Sequence, residues 1–134
     1  MKRTAIVEMW DDNTMSIYVP DFEGFSLNGQ GKTVEEAKRS LMEAVEDYRK
    51  MFEDRGEEMP ECLKALEFEY KYDIASFFEC FKFINVSSFA AYAGINPSLM
   101  RQYKQRIAFA SEAQKQKIEA AIHKAGAEMM AVQI

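Results

Sequence analysis

The stretch Val86–Gln105, VSSFAAYAGINPSLMRQYKQ, has the pattern of two short helices joined by a tight turn. Gly94 stands where such a turn needs a residue that takes positive φ without strain. Ala90 is small enough to let a second helix approach the first closely. The pattern predicts a helix-turn-helix, and a plain helical hairpin whose loop contains a glycine is the alternative.

Each of the two helices has a recognisable start. Ser87 can accept a hydrogen bond as the N-cap of a first helix over about residues 88–93. Asn96 followed by Pro97 is typical of a second start, because asparagine caps well and proline suits the first helical position. The second helix is therefore predicted to begin directly after the turn.

The second helix has two chemically different faces. Ile95, just before it, and Met100 and Tyr103 within it are spaced to pack inward. The opposite face is polar and suits the major groove of DNA. The predicted DNA-binding residues are Asn96, Ser98, Arg101, Gln102, Lys104 and Gln105.

Individual roles follow from the chemistry of these side chains. Arg101 and Gln102 are the candidates for base edges, because arginine pairs with guanine and glutamine with adenine. Asn96 and Lys104 are candidates for phosphate contacts, and Ser98 suits either a base or a phosphate.

Charge is distributed unevenly along the 134 residues. The chain has a net charge of −5, yet residues 1–72 carry −7 and residues 73–134 carry +2. No acidic residue lies between Glu79 and Glu112. This division predicts two domains, 1–72 and 73–134, with different partners. Because one copy offers few cations for phosphate contacts, DNA binding calls for a homodimer or a higher homo-oligomer.

Composition narrows the class of protein further. No run approaches the roughly 20 apolar residues of a membrane span, and Glu8 interrupts the apolar stretch near the N-terminus. We therefore expect a cytoplasmic protein without a signal peptide. Cys62 and Cys80 are expected to be free thiols, and their spacing to each other and to His123 matches no metal site. We predict no cofactor, no metal and no catalytic residues.

The front half reads as an α+β domain of order β-β-β-α-β. The helix is the clearest element, since Thr33 and Glu36 form a capping box and Gly56 is a fitting stop. Its apolar residues recur with helical periodicity and are expected to pack on the sheet. The strands are predicted at residues 2–10, 15–19, within 26–31, and 66–72.

The back half reads as helical. Asp73 can cap a phenylalanine-rich helix over residues 74–83, expected to pack under the helix-turn-helix. Ser111 opens another capping box, and the helix that follows is predicted to end at about Ala125, with Gly126 closing it. Apolar alternation over residues 130–134 predicts a short C-terminal strand, which either pairs with another subunit or packs on its own domain.

Two motifs of the front half resemble those of a known family. They are IYVPDFEG at residues 17–24 and GKTVEEA at residues 31–37, with Gly29 between them. This order resembles that of the HicB-type antitoxins, in which a tyrosine strand, a Pro-Asp loop and a Thr-x-Glu-Glu-Ala helix start recur. The back half is similar to the helix-turn-helix variant of that family.

The resemblance implies a fold and a function. It implies a partial RNase H-like domain, incomplete as a nuclease, that binds and neutralises a small basic HicA-like toxin that cleaves mRNA. It also implies that the helix-turn-helix domain binds operator DNA and represses its own operon. An acidic front half complements a basic partner, so the charge pattern fits this reading independently.

Two other functions remain open on the residues alone. One is a stand-alone transcriptional regulator whose front half senses a ligand or dimerises. The other, less favoured, is a metal-dependent nuclease, which needs several converging carboxylates. The carboxylates that could serve such a nuclease are Glu8, Asp11, Asp12, Asp21, Glu23, Glu43 and Asp47. The simpler interpretation is that they are solvated acids on an acidic surface.

Overall fold

The chain contains strands and helices, and all four described strands lie before residue 73. A computed structural model describes residues 2–134, and within that range it contains a four-stranded mixed sheet and six helices. The class is α+β, as predicted. The chain divides into two compact units, of which the first ends at Ser76 and the second is Phe77–Ile134.

The first unit contains the sheet, and its element order extends the predicted one by a short helix. Its elements are β1 (Lys2–Met9), β2 (Met15–Tyr18), β3 (Asn28–Gly31), α1 (Val34–Arg55), α2 (Glu61–Lys64) and β4 (Glu67–Tyr72). The predicted strand bounds were longer by one or two residues at several ends. Helix α2 was not anticipated, because its four residues are too few to show a period.

The four strands lie in the order β3-β2-β1-β4. Strand β1 pairs antiparallel with β2 and parallel with β4, and β2 pairs antiparallel with β3. Ala5 and Val7 of β1 point to the buried face, and Ala5 lies opposite Tyr70 of β4. The alternating pattern seen in the sequence therefore identifies the core face of the sheet. Helix α1 contributes buried Ala37, Leu41 and Val45 to this unit's core.

The ends of α1 are confirmed. The Thr33 hydroxyl accepts a hydrogen bond from the Glu36 amide at 3.1 Å, and the Glu36 carboxylate accepts one from the Lys32 amide at 2.8 Å. At the other end Gly56 adopts the left-handed conformation, with φ of 65°, and its N–H bonds back to the last turn. Both ends are thus specified by side chains within a few residues.

The second unit is helical. Its elements are α3 (Ile74–Cys80), which spans the division between the units, α4 (Val86–Ala93), α5 (Pro97–Lys104) and α6 (Glu112–Met130). Helix α3 ends three residues earlier than predicted. The reason is local, since the Ile84 amide turns back to the Phe81 carbonyl and Asn85 is extended in order to cap α4.

The predicted C-terminal strand is wrong. Helix α6 continues to Met130, and residues 131–134 form no strand. Gly126, expected to close the helix, lies inside it. A glycine inside a helix costs only about 1 kcal/mol, and the residues from Ala127 to Met130 are good helix formers that carry the helix past it. The apolar alternation over residues 130–134 has no partner strand in the described part of the chain, and a strand needs a partner for its backbone hydrogen bonds.

None of the helices between residues 2 and 134 combines the length and the apolar content that crossing a bilayer requires.

Candidate nucleic-acid interface

Helix α4 is the first half of the candidate interface, and it is capped differently from the prediction. The Asn85 side-chain oxygen accepts a hydrogen bond from the Ser88 amide at 2.8 Å, so Asn85 is the N-cap and Ser87 is not. The helix therefore begins at Val86, before the predicted start. Both residues are good caps, and Asn85 prevails because its backbone is already extended, with ψ of 118°.

The turn between the helices forms as the sequence predicts. Gly94 adopts the left-handed conformation, with φ of 74°, and its N–H bonds back into the last turn of α4. The Ile95 amide donates to the Ala90 carbonyl at 2.9 Å, and the Ile95 side chain is buried. The same conformation is strained for a residue with a Cβ, which is why a glycine stands here.

Helix α5 begins at the predicted residues. The side-chain oxygen of Asn96 accepts hydrogen bonds from the Ser98 and Leu99 amides, at 2.9 and 3.3 Å, and Pro97 occupies the first turn. Asn96 therefore caps α5, in addition to its predicted phosphate contact.

The two faces of α5 separate as predicted. Met100 is fully buried and Tyr103 is nearly so. Of the six predicted DNA-binding residues, Gln102 is half-buried and the other five are exposed: Asn96, Ser98, Arg101, Lys104 and Gln105. These polar side chains therefore lie along one short helix and its two caps, five of them exposed and one half-buried.

A hydrogen bond across the two helices orients the main candidate for base contact. The Arg101 guanidinium donates to the Ser87 hydroxyl at 2.8 Å, and both residues are exposed. Ser87 therefore belongs to the candidate interface, which sequence reasoning missed because it assigned this hydroxyl to capping. Holding a long side chain in place lowers the entropy lost when it binds.

The end of α5 holds a further feature that the sequence did not indicate. Arg106 adopts the left-handed conformation, with φ of 59°, and the Ile107 amide bonds to the Gln102 carbonyl at 2.9 Å. A glycine is usual at this position of a helix end, so no compositional signal marked it. Arg106 is exposed and follows Lys104 by two residues in the sequence.

A phenylalanine cluster supports the two helices. The rings of Phe77 and Phe78 in α3 lie 6.0 and 5.9 Å from the ring of Phe89 in α4, centroid to centroid. This contact is the predicted packing of the phenylalanine-rich helix against α4. Aromatic pairs at this separation contribute about 0.5–1.5 kcal/mol beyond their buried area.

The second unit is basic as a whole. Residues 77–134 contain seven lysines and arginines and four acidic residues, a net charge of +3. The stretch between Glu79 and Glu112, which includes α4 and α5, contains no acid. The exposed face of α5 is therefore free of the like charge that would repel a phosphate backbone.

The first unit is acidic and carries a loop with unusual backbone geometry. Residues 2–76 contain 18 acidic and 10 basic residues, a net charge of −8. In the loop after β2, Asp21 and Glu23 both have positive φ, at 54° and 44°, and Gly24 follows at 85°. Left-handed conformations at residues with a Cβ cost free energy and persist only where surrounding contacts hold them.

Those contacts are visible around the loop. The Phe22 side chain is buried, and the Arg3 guanidinium lies 5.2 Å from its ring centroid and forms an ion pair with Glu23. Hydrogen bonds from Arg3 and then from the Cys62 thiol hold the pKa of the Glu23 carboxyl below its ordinary value. Burial, followed by the bond to Glu23, raises the pKa of the Cys62 thiol. The buried Phe22 ring and the contacts of Glu23 with Arg3 and Cys62 therefore hold the loop in its conformation.

Within residues 2–134, no group of three or more histidine, cysteine, aspartate or glutamate side chains is placed to hold a metal ion. The seven acids considered for a nuclease do not form such a group.

Comparison of the chain with family models, with curated proteins and with solved structures found no match.

Proposed function

We propose that the protein is a HicB-type antitoxin, which neutralises a small basic HicA-like toxin and represses its own operon through α4 and α5. The observation that carries the proposal is the division of α5 into a buried apolar face and an exposed polar face. Two features of the first unit add support. Its strand order, 3-2-1-4 with β1 and β4 parallel, is compatible with a partial RNase H-like domain, and its charge is −8.

In the DNA-binding half of the proposal, α5 is the helix that enters the major groove. Arg101 contacts a base edge, and its hydrogen bond to the Ser87 hydroxyl restricts the conformation of its side chain before DNA binds. Lys104 and Asn96 contact phosphates, which fix the register of the helix on the duplex. The N-terminal residues of such a helix contact the bases, and Ser98 lies there.

Replacing Arg101 with alanine tests this half. We expect Arg101→Ala to weaken binding to DNA from upstream of its own gene by about 10- to 100-fold, since a bidentate arginine–guanine pair contributes about 1–3 kcal/mol. The fold is expected to survive, because Arg101 is exposed. Affinity is measured by gel shift, on operator and on scrambled DNA of equal length.

Two other variants sharpen the result. Lys104→Ala should weaken binding to both DNAs alike, because a phosphate contact reads no sequence. Lys115→Ala, which removes an exposed cation of α6 outside the interface, is the matched control and should bind nearly as the wild type does. An Arg101→Ala protein that binds the operator as tightly as wild type would refute the assignment.

In the antitoxin half of the proposal, the acidic surface of the first unit attracts the toxin. The exposed side of α1 contributes seven exposed acids to that surface, Glu35, Glu36, Glu43, Glu46, Asp47, Glu53 and Asp54. Opposite charge on two partners speeds their encounter and disfavours wrong partners. The fixed loop at residues 20–24 adds exposed Asp21 and Glu23 to this unit's surface.

The test is binding to the product of the adjacent gene, which the proposal expects to be a small basic protein. We expect the two proteins to co-purify, and the double variant Glu43→Lys/Asp47→Lys to associate about 10-fold more slowly at low salt. The double variant Gln116→Lys/Glu119→Lys changes the charge of α6 by +3, where the first variant changes that of α1 by +4, and should associate close to the wild-type rate. Absence of a complex, or equal slowing by both double variants, would count against the antitoxin assignment.

A further inference from the structure

Strand β4 lies at one edge of the sheet, with β1 as its only neighbouring strand among residues 2–134. It is six residues long, and its parallel register with β1 runs unbroken from Glu67 to Tyr72. Within the described part of the chain, the backbone from Glu67 to Lys71 has hydrogen-bond partners on the β1 side only. Such an edge presents unpaired N–H and C=O groups to any strand that approaches it.

The opposite edge of the sheet is better protected. Strand β3 has only four residues, and the Gln30 amide on its outer side donates to the Ser40 hydroxyl of α1 at 3.2 Å. Short strands and covered edges prevent unwanted pairing. Strand β4 is longer and has no proline and no bulge. Its protection consists of charged side chains, which are Glu67, Glu69 and Lys71. Their charge therefore decides which strand can pair with β4.

The two faces of β4 differ in chemistry. One face has exposed Glu67, Glu69 and Lys71, two acids to one cation. On the other face Phe68 and Tyr70 are half-buried, with their ring centroids 6.3 Å apart. A strand added beside β4 places alternate side chains on these same two faces. Because opposite charges, and aromatic and β-branched residues, pair favourably across strands, the best added strand alternates basic with apolar residues.

The Tyr70 ring is oriented before any partner arrives. The Lys38 ammonium of α1 lies 4.4 Å from the centroid of this ring, and Ala5 of β1 lies opposite Tyr70 in the register. A side chain that is already held loses little conformational entropy when a neighbour packs on it. The aromatic face of the edge is therefore suited to binding.

We propose that β4 takes an extended segment of the basic toxin as the fifth strand of the sheet. Lysine or arginine of that segment lies beside Glu67 and Glu69. Its apolar residues lie beside Phe68 and Tyr70. Main-chain hydrogen bonds supply the affinity of such a contact, and the alternate side chains supply its specificity. The inference rests on the proposed function for the identity of the partner. A second copy of β4 fits less well, because it offers one cation, Lys71, for the two acids.

Hydrogen exchange of the backbone amides in the full-length protein tests the inference. The two partners are the product of the adjacent gene and a short peptide in which lysine alternates with valine. Each should slow the exchange of alternate amides between Glu67 and Lys71, because the amides that face away from β1 become hydrogen-bonded. Amides within α1 should change little, since they are already bonded within the helix. A peptide in which glutamate alternates with valine is the control and should leave β4 unchanged.

Neutralising the two acids of β4 tests the contribution of charge. Glu67→Gln/Glu69→Gln should bind the lysine–valine peptide about 5-fold more weakly, because two opposite-charge pairs across strands are lost. Glu57→Gln/Glu58→Gln removes the same charge from the connection between α1 and α2 and should bind as the wild type does. All four side chains are exposed, so both variants should keep the wild-type circular dichroism. Equal weakening by both variants would contradict recognition at the edge.

The exchange experiment separates the inference from the proposed function. Slowed exchange in β4 with the gene product supports both. A complex with the gene product that leaves β4 exchanging as before overturns the inference and leaves the antitoxin assignment standing. If that complex is absent while the lysine–valine peptide still slows β4, the antitoxin assignment is refuted and the edge remains a site for basic strands. No slowing with either partner overturns the inference. Slowing that depends on protein concentration alone assigns the edge to a second copy and also overturns it.

Discussion

Gly29→Ala is expected to lower the free energy of unfolding of the first unit by about 3 kcal/mol, at the upper end of what overpacking costs. A Cβ at this position would lie 2.4 Å from the Ala37 carbonyl oxygen and 2.4 Å from the Leu41 amide nitrogen. Both are backbone atoms of α1, so no side chain can rotate away to make room. Either the helix moves off β3 or the strand moves off the helix, and the core between them opens.

Tryptophan fluorescence measures this effect in the first unit. The chain has a single tryptophan, Trp10, just after β1, so its fluorescence during denaturant unfolding reports the first unit. Gly126→Ala is the matched control, because no atom lies within 4 Å of its added Cβ and it lies inside α6. It should raise the stability of α6 by about 0.5–1 kcal/mol, since alanine is the better helix former. An unchanged unfolding midpoint for Gly29→Ala would contradict the close packing of β3 on α1.

Phe22→Ala is expected to cost about 3–5 kcal/mol of unfolding free energy in the same unit. The Phe22 ring is 2% exposed, lies 6.1 Å from the Phe25 ring between centroids, and carries the Arg3 guanidinium on its face. Removing the ring leaves a cavity and also removes the contact that positions Arg3 for its ion pair with Glu23. The loop would then lose the support that keeps its left-handed residues in place.

The control for this variant is Phe109→Ala. Phe109 is 83% exposed, so the same substitution there should change stability by no more than about 0.5 kcal/mol. Phe22→Leu, which keeps most of the volume, should cost less than about 1.5 kcal/mol. If Phe22→Ala unfolded at the wild-type denaturant concentration, the loop would not depend on this buried ring. The acidic surface would then have to be held by other contacts.

Local elements were predictable because their signals lie within a few residues of each other. The ends of α1 depend on Thr33, Glu36 and Gly56, and the start of α5 depends on Asn96 and Pro97. Each of these residues acts on backbone groups of its own turn, so no knowledge of distant contacts was needed. The alternation along β1 likewise identified the core face of the sheet.

Competition between neighbouring signals explains the errors. Asn85 and Ser87 are both good N-caps. Asn85 caps α4 because its backbone is extended after the turn in which the Ile84 amide bonds to the Phe81 carbonyl. At the end of α6, apolar alternation over residues 130–134 predicts a strand, although the helix formers before it continue the helix to Met130. A short pattern without a pairing partner does not decide between the two structures.

The sequence by itself determined the helix caps, the left-handed turn at Gly94, the alternating faces of the strands and the two faces of α5, because each depends on residues within one or two turns. Only the tertiary structure decided that Gly29 must lack a side chain, that Ser87 accepts a hydrogen bond from Arg101, and that Ile118 of α6 is buried while Met129 is exposed. These depend on which distant segments meet, and that is set by packing of the whole unit rather than by local backbone chemistry.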